Sequence, residues 1–380
     1  MTTETSALHY DPTDPTFAAR SHEVYRLLRQ EHPLYADPLG RYWALSRFED
    51  VRTAALDWET FSSTGKAEHQ FQKPTMSSYD PPRHGELRAL VNRGFTPRRV
   101  AEMEPEIRRV ATSLIDEFAE RGTCDAIADF AALLPSIVMG RLVGIPDDLI
   151  PVCRALTDEF MHHIAVSDVA GPAARSDEIF AALLAAEIDG RRLNEDELLG
   201  FGWLLLVGGN DTTTNLIGNG LELLARHPDQ RRLLVDDPGL IPDAVEEVLR
   251  VEPPTHSLPR TAMREVELHG GVIPARSRVM LLWAAANLDE VEFPDPERFD
   301  IRRRAPRHLS LGHGVHFCLG ASFARLEARV AWEEFLTRMP VYELTTEPQH
   351  FVSATFNGFS ALPMAFTPDV RTTPPPSTRS

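Results

Sequence analysis

The chain has 380 residues, 43% of them hydrophobic, which is enough for an extensive core in one large domain or in two or three smaller ones. Its formal charge of −17 argues against nucleic acid or an anionic membrane as the main partner, since both select basic surfaces. Three cysteines at wide separations (Cys124, Cys153 and Cys318) leave no disulfide framework and fit a reducing, cytoplasmic compartment.

The start, "MTTETSALHYDPTDP", has no apolar stretch of signal-peptide type, and the longest greasy run, Trp203 to Val207, is too short for a membrane anchor. A strand-like piece stands at "RYWALS" (41–46), and Ser46 with Glu49 resembles a capping box at its exit. In "PEIRRVATSLIDEFAERG", Ile107, Val110, Leu114 and Phe118 line one helical face, with Pro105 near the start and Gly122 as the stop. From Asn194 to Pro228 one helix of about 48 Å is predicted, apolar nearly all round in its first half and therefore buried. Six glycines interrupt it, each costing up to about 1 kcal/mol against alanine, so close approach is required there. The Gly208–Gly209 pair runs into Asn210, Asp211, Thr212 and Thr213, and the Thr212 hydroxyl can turn onto the carbonyl of Gly208 and open the helix. Further strand-like pieces follow at 279–284 and 341–344, and the tail "TTPPPSTRS" is proline- and serine-rich, so it is predicted to be disordered. The expected organisation is mainly α with small β-sheets, in a single domain over 1–368 followed by the tail at 369–380.

The stretch "LGHGVHFCLG" (311–320) sets a thiol among four glycines. His313, His316 and Cys318, with His308, offer zinc ligands, but structural zinc sites come as two clustered pairs, and no C-x-x-C or H-E-x-x-H exists here. The helix-spaced "LGASFARLEARVAWEEFLTRM" puts Cys318 at a helix N-terminus, which favours thiolate. A planar macrocycle on the loop would need Gly314 and Gly320 to keep side chains clear, and haem iron held by Cys318 accounts for sulfur, glycines and helix start together.

Along almost its whole length the chain resembles a bacterial cytochrome P-450. The loop "LGHGVHFCLG" continues into "ASFARLE"; "GGNDTT" (208–213) lies on the long helix; "EEVLR" holds Glu247 and Arg250; "FPDPERFD" (293–300) follows with Arg298; and "YDPPRHGELRALVNRGFTPRRV" (79–100) matches a haem-flanking helix. The resemblance implies a triangular-prism helical domain with haem b (iron protoporphyrin IX) between the long central helix and the Cys-loop helix. It implies Cys318 as the iron ligand and His84, Arg88, Arg260 and His316 as propionate partners, with Gly208 also at the cofactor. Asp211 and Thr212 become the proton-delivery pair for O2, and Glu247, Arg250 and Arg298 a structural network. A substrate wall would include Leu205, Thr255, His256, Ser257, Leu258, Phe356, Asn357 and part of the 62–78 loop, suited to a small, moderately hydrophobic organic substrate.

No electron-transfer module is fused to the chain, so a ferredoxin with its ferredoxin reductase is the implied donor. Arg302, Arg303, Arg304 and Arg307, with Arg98 and Arg99, are its expected docking cations in an otherwise acidic chain. The implied activity is that of a monooxygenase; a haem-thiolate binding or sensing protein without turnover is the alternative. Three departures stand out. Leu311 replaces a common aromatic residue, Asn357 replaces a common arginine, and residues 145–208 are too few for two full lid helices.

Overall fold

The computed structural model describes residues 8–64, 75–92, 95–142, 145–152, 154–155, 204, 207–304 and 307–367. Near the front, α1 (Ser21–Glu31), β1 (Leu34–Ala36), β2 (Trp43–Leu45), α2 (Phe48–Leu56) and β3 (Phe61–Ser62) begin a small sheet domain. Then come α3 (Arg83–Asn92), α4 (Pro97–Glu102), α5 (Glu104–Phe118), β4 (Thr123–Asp125), a π-helical turn (Ala126–Ala131) and α6 (Leu133–Leu142). A second π-helical turn, Val207–Asp211, leads into α7 (Thr212–Arg226), followed by α8 (Pro228–Asp236) and α9 (Ile241–Val251). The strands β5 (Leu258–Ala262), β6 (Val266–Leu268), β7 (Gly271–Ile273) and β8 (Arg278–Leu281) precede α10 (Ala321–Arg338) and the last strands β9 (Tyr342–Leu344), β10 (Gln349–His350), β11 (Phe359–Ala361) and β12 (Pro363–Phe366).

The largest sheet runs β1-β2-β8-β5-β3. Its β2 and β8 pair in parallel, Trp43 opposite Val279, while β5 and β8 pair antiparallel, Arg260 opposite Val279. This ties the N-terminal strands to residues more than 200 positions later and fixes Arg260 beside them. Strand β8 ends at Leu281, and the predicted strand residue Trp283 opens a short helical turn instead. The capping box at Ser46–Glu49 is not made: the N-cap of α2 is Arg47, Ser46 Oγ is buried without a partner among the described residues, and the Phe48 N–H donates to Asp289 Oδ2 at 2.8 Å. A carboxylate 241 residues away therefore satisfies an N-terminal donor that a local side chain was expected to meet.

The main core joins α5, the first π-helical turn, α7, α9 and α10 through Ile107, Phe118, Phe130, Ile217, Leu221, Val248 and Phe335, all fully buried, and the glycines of α7 lie within it. Those glycines are explained by contact: a Cβ at Gly220 would lie 1.9 Å from Trp332 of α10, and one at Gly218 would lie 2.6 Å from Ile127. Trp332 is fully buried and donates Nε1–H to the Ile217 carbonyl at 3.3 Å. Burying an indole contributes roughly 4 kcal/mol or more, which exceeds the glycine's helix cost of about 1 kcal/mol.

The predicted helix 194–228 is observed from Val207 onward, and the local opening expected at Gly208–Thr212 takes the form of a π-helical turn. Its Asn194 start, most of the lid region and the 369–380 tail lie outside the described residues. No helix among the described residues is long and apolar enough to cross a membrane.

Candidate functional site: a cysteine loop and an opened helix

Residues 311–320 turn back on themselves: Gly312 and Gly314 adopt φ of +72° and +71°, and the Cys318 N–H donates to the Leu311 carbonyl at 2.8 Å. Glycine is needed at 314 for a different reason from the one expected. Besides its positive φ, a Cβ there would come within 3.0 Å of the Ala55 carbonyl oxygen at the end of α2. Gly320 meets the expectation better, because its missing Cβ faces open space with nothing within 4 Å.

Cys318 precedes α10 by three residues, and the Gly320 N–H points to its sulfur. Burial nevertheless pushes the Cys318 thiol above its ordinary range, against the pull of that N–H and of Arg88 and Arg325. The helix terminus alone thus does not yield thiolate, contrary to the sequence expectation; a bound metal's charge would be the group that ionises it.

Thr212 Oγ1 donates to the Gly208 carbonyl at 2.6 Å, as predicted, at the junction of the π-helical turn and α7. The bond takes the hydroxyl back one turn and leaves the backbone widened next to Asp211. Gly208 is exposed, and among the described residues a Cβ there would only reach Leu204 at 4.0 Å, so no described side chain covers the helix at this point.

The four expected propionate partners come from three parts of the chain, His84 and Arg88 from α3, Arg260 from β5 and His316 from the loop before Cys318, and they converge. The buried His84 ring lies 4.3 Å from that of His316, centroid to centroid, and Arg88 Nη1 reaches the neighbouring Val315 carbonyl at 3.4 Å. Arg260 is 4% exposed, and its one hydrogen bond among the described residues runs from Nη1 to the Pro259 carbonyl at 2.8 Å. No carboxylate lies within salt-bridge distance of it among the described residues; burial lowers its pKa to about 10, with Asp80 pulling the other way. Asp80, which sequence reasoning passed over inside "YDPPRHGE", is 3.8 Å from His316 Nε2 and accepts from the Ser63 N–H at 2.9 Å.

A buried guanidinium with unused donors needs an anion, and a glycine facing open space beside a half-buried thiol needs a flat neighbour. A macrocycle bearing two carboxylates meets both needs, so the residues fit haem. The zinc alternative fails, since His308 is turned to Glu246 Oε2 at 3.0 Å and no cluster of three or more metal-ligating side chains exists among the described residues.

Other expected roles are corrected. Glu247 and Arg250 form a fully buried pair at 2.8 Å, but the second cation on Glu247 is Arg303, 3.1 Å away, not Arg298. Arg298 contributes only its carbonyl, to Arg250 and Arg303, while its own side chain is exposed. Arg303 is therefore no docking cation; Arg302, Arg304 and Arg307 remain exposed. In the substrate wall, the His256 ring is turned away to the Tyr25 hydroxyl at 2.8 Å and to Phe17, and burial drops its pKa to about 4. Ser257 is fully buried, and Asn357 Nδ2 donates to Glu252 Oε2 at 2.8 Å. Thr255, Leu258 and Phe356 keep partial exposure, with Thr255 and Phe356 joined by a β-bridge. Leu205 and residues 65–74 lie outside the described residues.

Comparison with known proteins agrees with this geometry. Residues 239–362 match the family model described as Cytochrome P450. A "Steroid C26-monooxygenase" of Mycobacterium tuberculosis is 35% identical, aligned over 96% of this chain and 98% of its own. A "Vitamin D(3) 25-hydroxylase" of Pseudonocardia autotrophica is 37% identical over the same shares. A solved cytochrome P450 from Chondromyces apiculatus superposes with a TM-score of 0.83 at 34% identity, covering 95% of this chain and 98% of that one. A cysteine loop and an opened helix in this fold, with these relatives, mean that the chain belongs to the cytochrome P450 family and is a haem monooxygenase.

Proposed function

We propose that this enzyme inserts one oxygen atom of O2 into a moderately hydrophobic small organic molecule, with electrons from a ferredoxin and its reductase. The prosthetic group is haem b, held by Cys318 and by His84, Arg88, Arg260 and His316 within one domain over residues 1–368. Bound haem would supply oxygen activation, with Cys318 as the residue that would hold it and whose thiolate would favour O–O cleavage. The residues of this chain do the rest. The Arg260 guanidinium orients the cofactor through charge-assisted hydrogen bonds, with Asp80 and His316 completing that end. Gly208 and Gly320 leave the two flat faces clear. Asp211 relays protons from solvent and the Thr212 hydroxyl holds the last water in line.

The substrate class is supported by the partly apolar wall of Thr255, Leu258 and Phe356 and by relatives named for steroid and vitamin D(3) oxidation. The observation that carries the mechanism is the Thr212–Gly208 bond at 2.6 Å, which opens the helix beside the only aspartate of α7 and its preceding turn. Thr212→Ala is expected to lower product formation about tenfold or more while dioxygen is still consumed and released as peroxide. Product formation at the wild-type level would overturn the assignment.

A further inference from the structure

We propose that a polar seam from His22 at the surface, through Glu252, Asn357, Asn219 and Asn215 to Asp211, is a water-filled route that brings protons to the Asp211–Thr212 pair. It rests on the relay role given to that pair above and adds where the protons come from.

Helix α7 is buried along most of its length, where leucine would be expected, yet positions 215 and 219 are asparagines exposed by only 4% and 2%. They stand one turn apart, and Asp211 stands one turn before Asn215. Both amides face the same turn of chain. Asn219 Nδ2 donates to the carbonyls of Glu252 at 3.1 Å and Asn357 at 3.2 Å, and a Cβ at Gly358 would lie 2.2 Å from Asn215 Oδ1. Along that face Asn215 Nδ2, a donor, and Asn219 Oδ1, an acceptor, are buried and meet no partner among the described residues. Asn210 Oδ1, at the Asp211 end, is in the same condition. A water that accepts from the first amide and donates to the second satisfies both, and buried polar atoms are almost always satisfied.

The outer end is continuous with solvent. Asn357 Nδ2 donates to Glu252 Oε2 at 2.8 Å, and His22 Nε2 lies 3.0 Å from Glu252 Oε1, with these two side chains 30% and 29% exposed. In the transfer each water takes one proton from its outer neighbour and passes another inward. One proton leaves solvent, one arrives at the Asp211 carboxylate, every water keeps two O–H bonds, and no electron moves. The asparagines orient the waters and are positioning residues. Asn357 has a further role: a cation at this point would place a fixed positive charge in the row and repel a passing proton, whereas an amide does not.

The test uses haem-loaded protein reduced through ferredoxin and its reductase, with a steroid that shifts the haem band as substrate. Asn219→Leu and Asn357→Arg are compared with wild type and Asp211→Asn. Both seam variants are expected to keep haem content and the carbon monoxide spectrum, to raise the solvent isotope effect on dioxygen consumption about twofold, and to divert more dioxygen to peroxide. Asn357→Arg guards against misfolding at Asn219, because Asn357 is only half-buried and lies outside the packed helix α7. If both seam variants match wild type while Asp211→Asn does not, the route is overturned and the relay reading stands. If Asp211→Asn also matches wild type, both fall. A high-resolution structure of the wild-type holoenzyme is expected to show ordered water between Asn215 and Asn219, and a dry seam there overturns the route independently.

Discussion

Glu246 shows how single side chains support the thiol loop. Burial raises its carboxyl, but the paired bonds from Arg325 and the bond from His308 outweigh that and hold it at about 2, below its ordinary 4.5. Because the folded value is the lower one, the stabilisation is present above pH 4.5 and is lost as pH falls toward 2. The difference corresponds to about 3 kcal/mol. Glu246→Gln is expected to flatten the acid limb of stability against pH in that window, measured by denaturant unfolding; an unchanged slope would contradict the network. At this scale the sequence was partly legible. The Thr212–Gly208 bond follows from hydroxyl chemistry four residues apart, whereas Arg298 and Arg303 lie in one arginine-rich stretch and only the fold selects which guanidinium reaches Glu247. Ser46 failed as a cap for the same reason, since Asp289 arrives from the loop after the helical turn that follows β8.

Among the elements, α7 depends on its crossing with α10. Gly220→Ala would drive a methyl group into the Trp332 ring, and neither the helix backbone nor a fully buried indole can yield easily. A loss of about 1–3 kcal/mol is expected in chemical denaturation, with most of it recovered in Gly220→Ala/Trp332→Phe. A neutral Gly220→Ala would show that the two helices are held by something else. Helix and strand positions followed well from apolar spacing, as α5 and β9 illustrate. The π-helical turn at Val207–Asp211 was legible only as a helix needing to open, since the spacing of side chains does not distinguish a widened turn from an α-turn.

On the scale of the whole molecule, the charge of −17 makes the exposed arginines near the thiol loop stand out. Arg304 is 82% exposed and only loosely paired with Asp243 at 3.6 Å, whereas Arg303 is locked to Glu247 and to the carbonyls of Pro294 and Asp295. If an acidic ferredoxin docks here, Arg304→Glu should slow electron delivery roughly threefold to tenfold at low ionic strength, and the difference should vanish in high salt. An unchanged rate and salt dependence would remove Arg304 from the docking face. Arg303→Glu is expected instead to destabilise the fold, because it would set a second carboxylate against the buried Glu247.

All of these roles assume that sulfur at 318 is the axial ligand of haem iron. The reduced carbon monoxide adduct of the purified protein tests this most directly. A Soret band at the long-wavelength position of thiolate ligation, lost in Cys318→His, is predicted. A globin-like band from the intact wild-type protein would contradict the account.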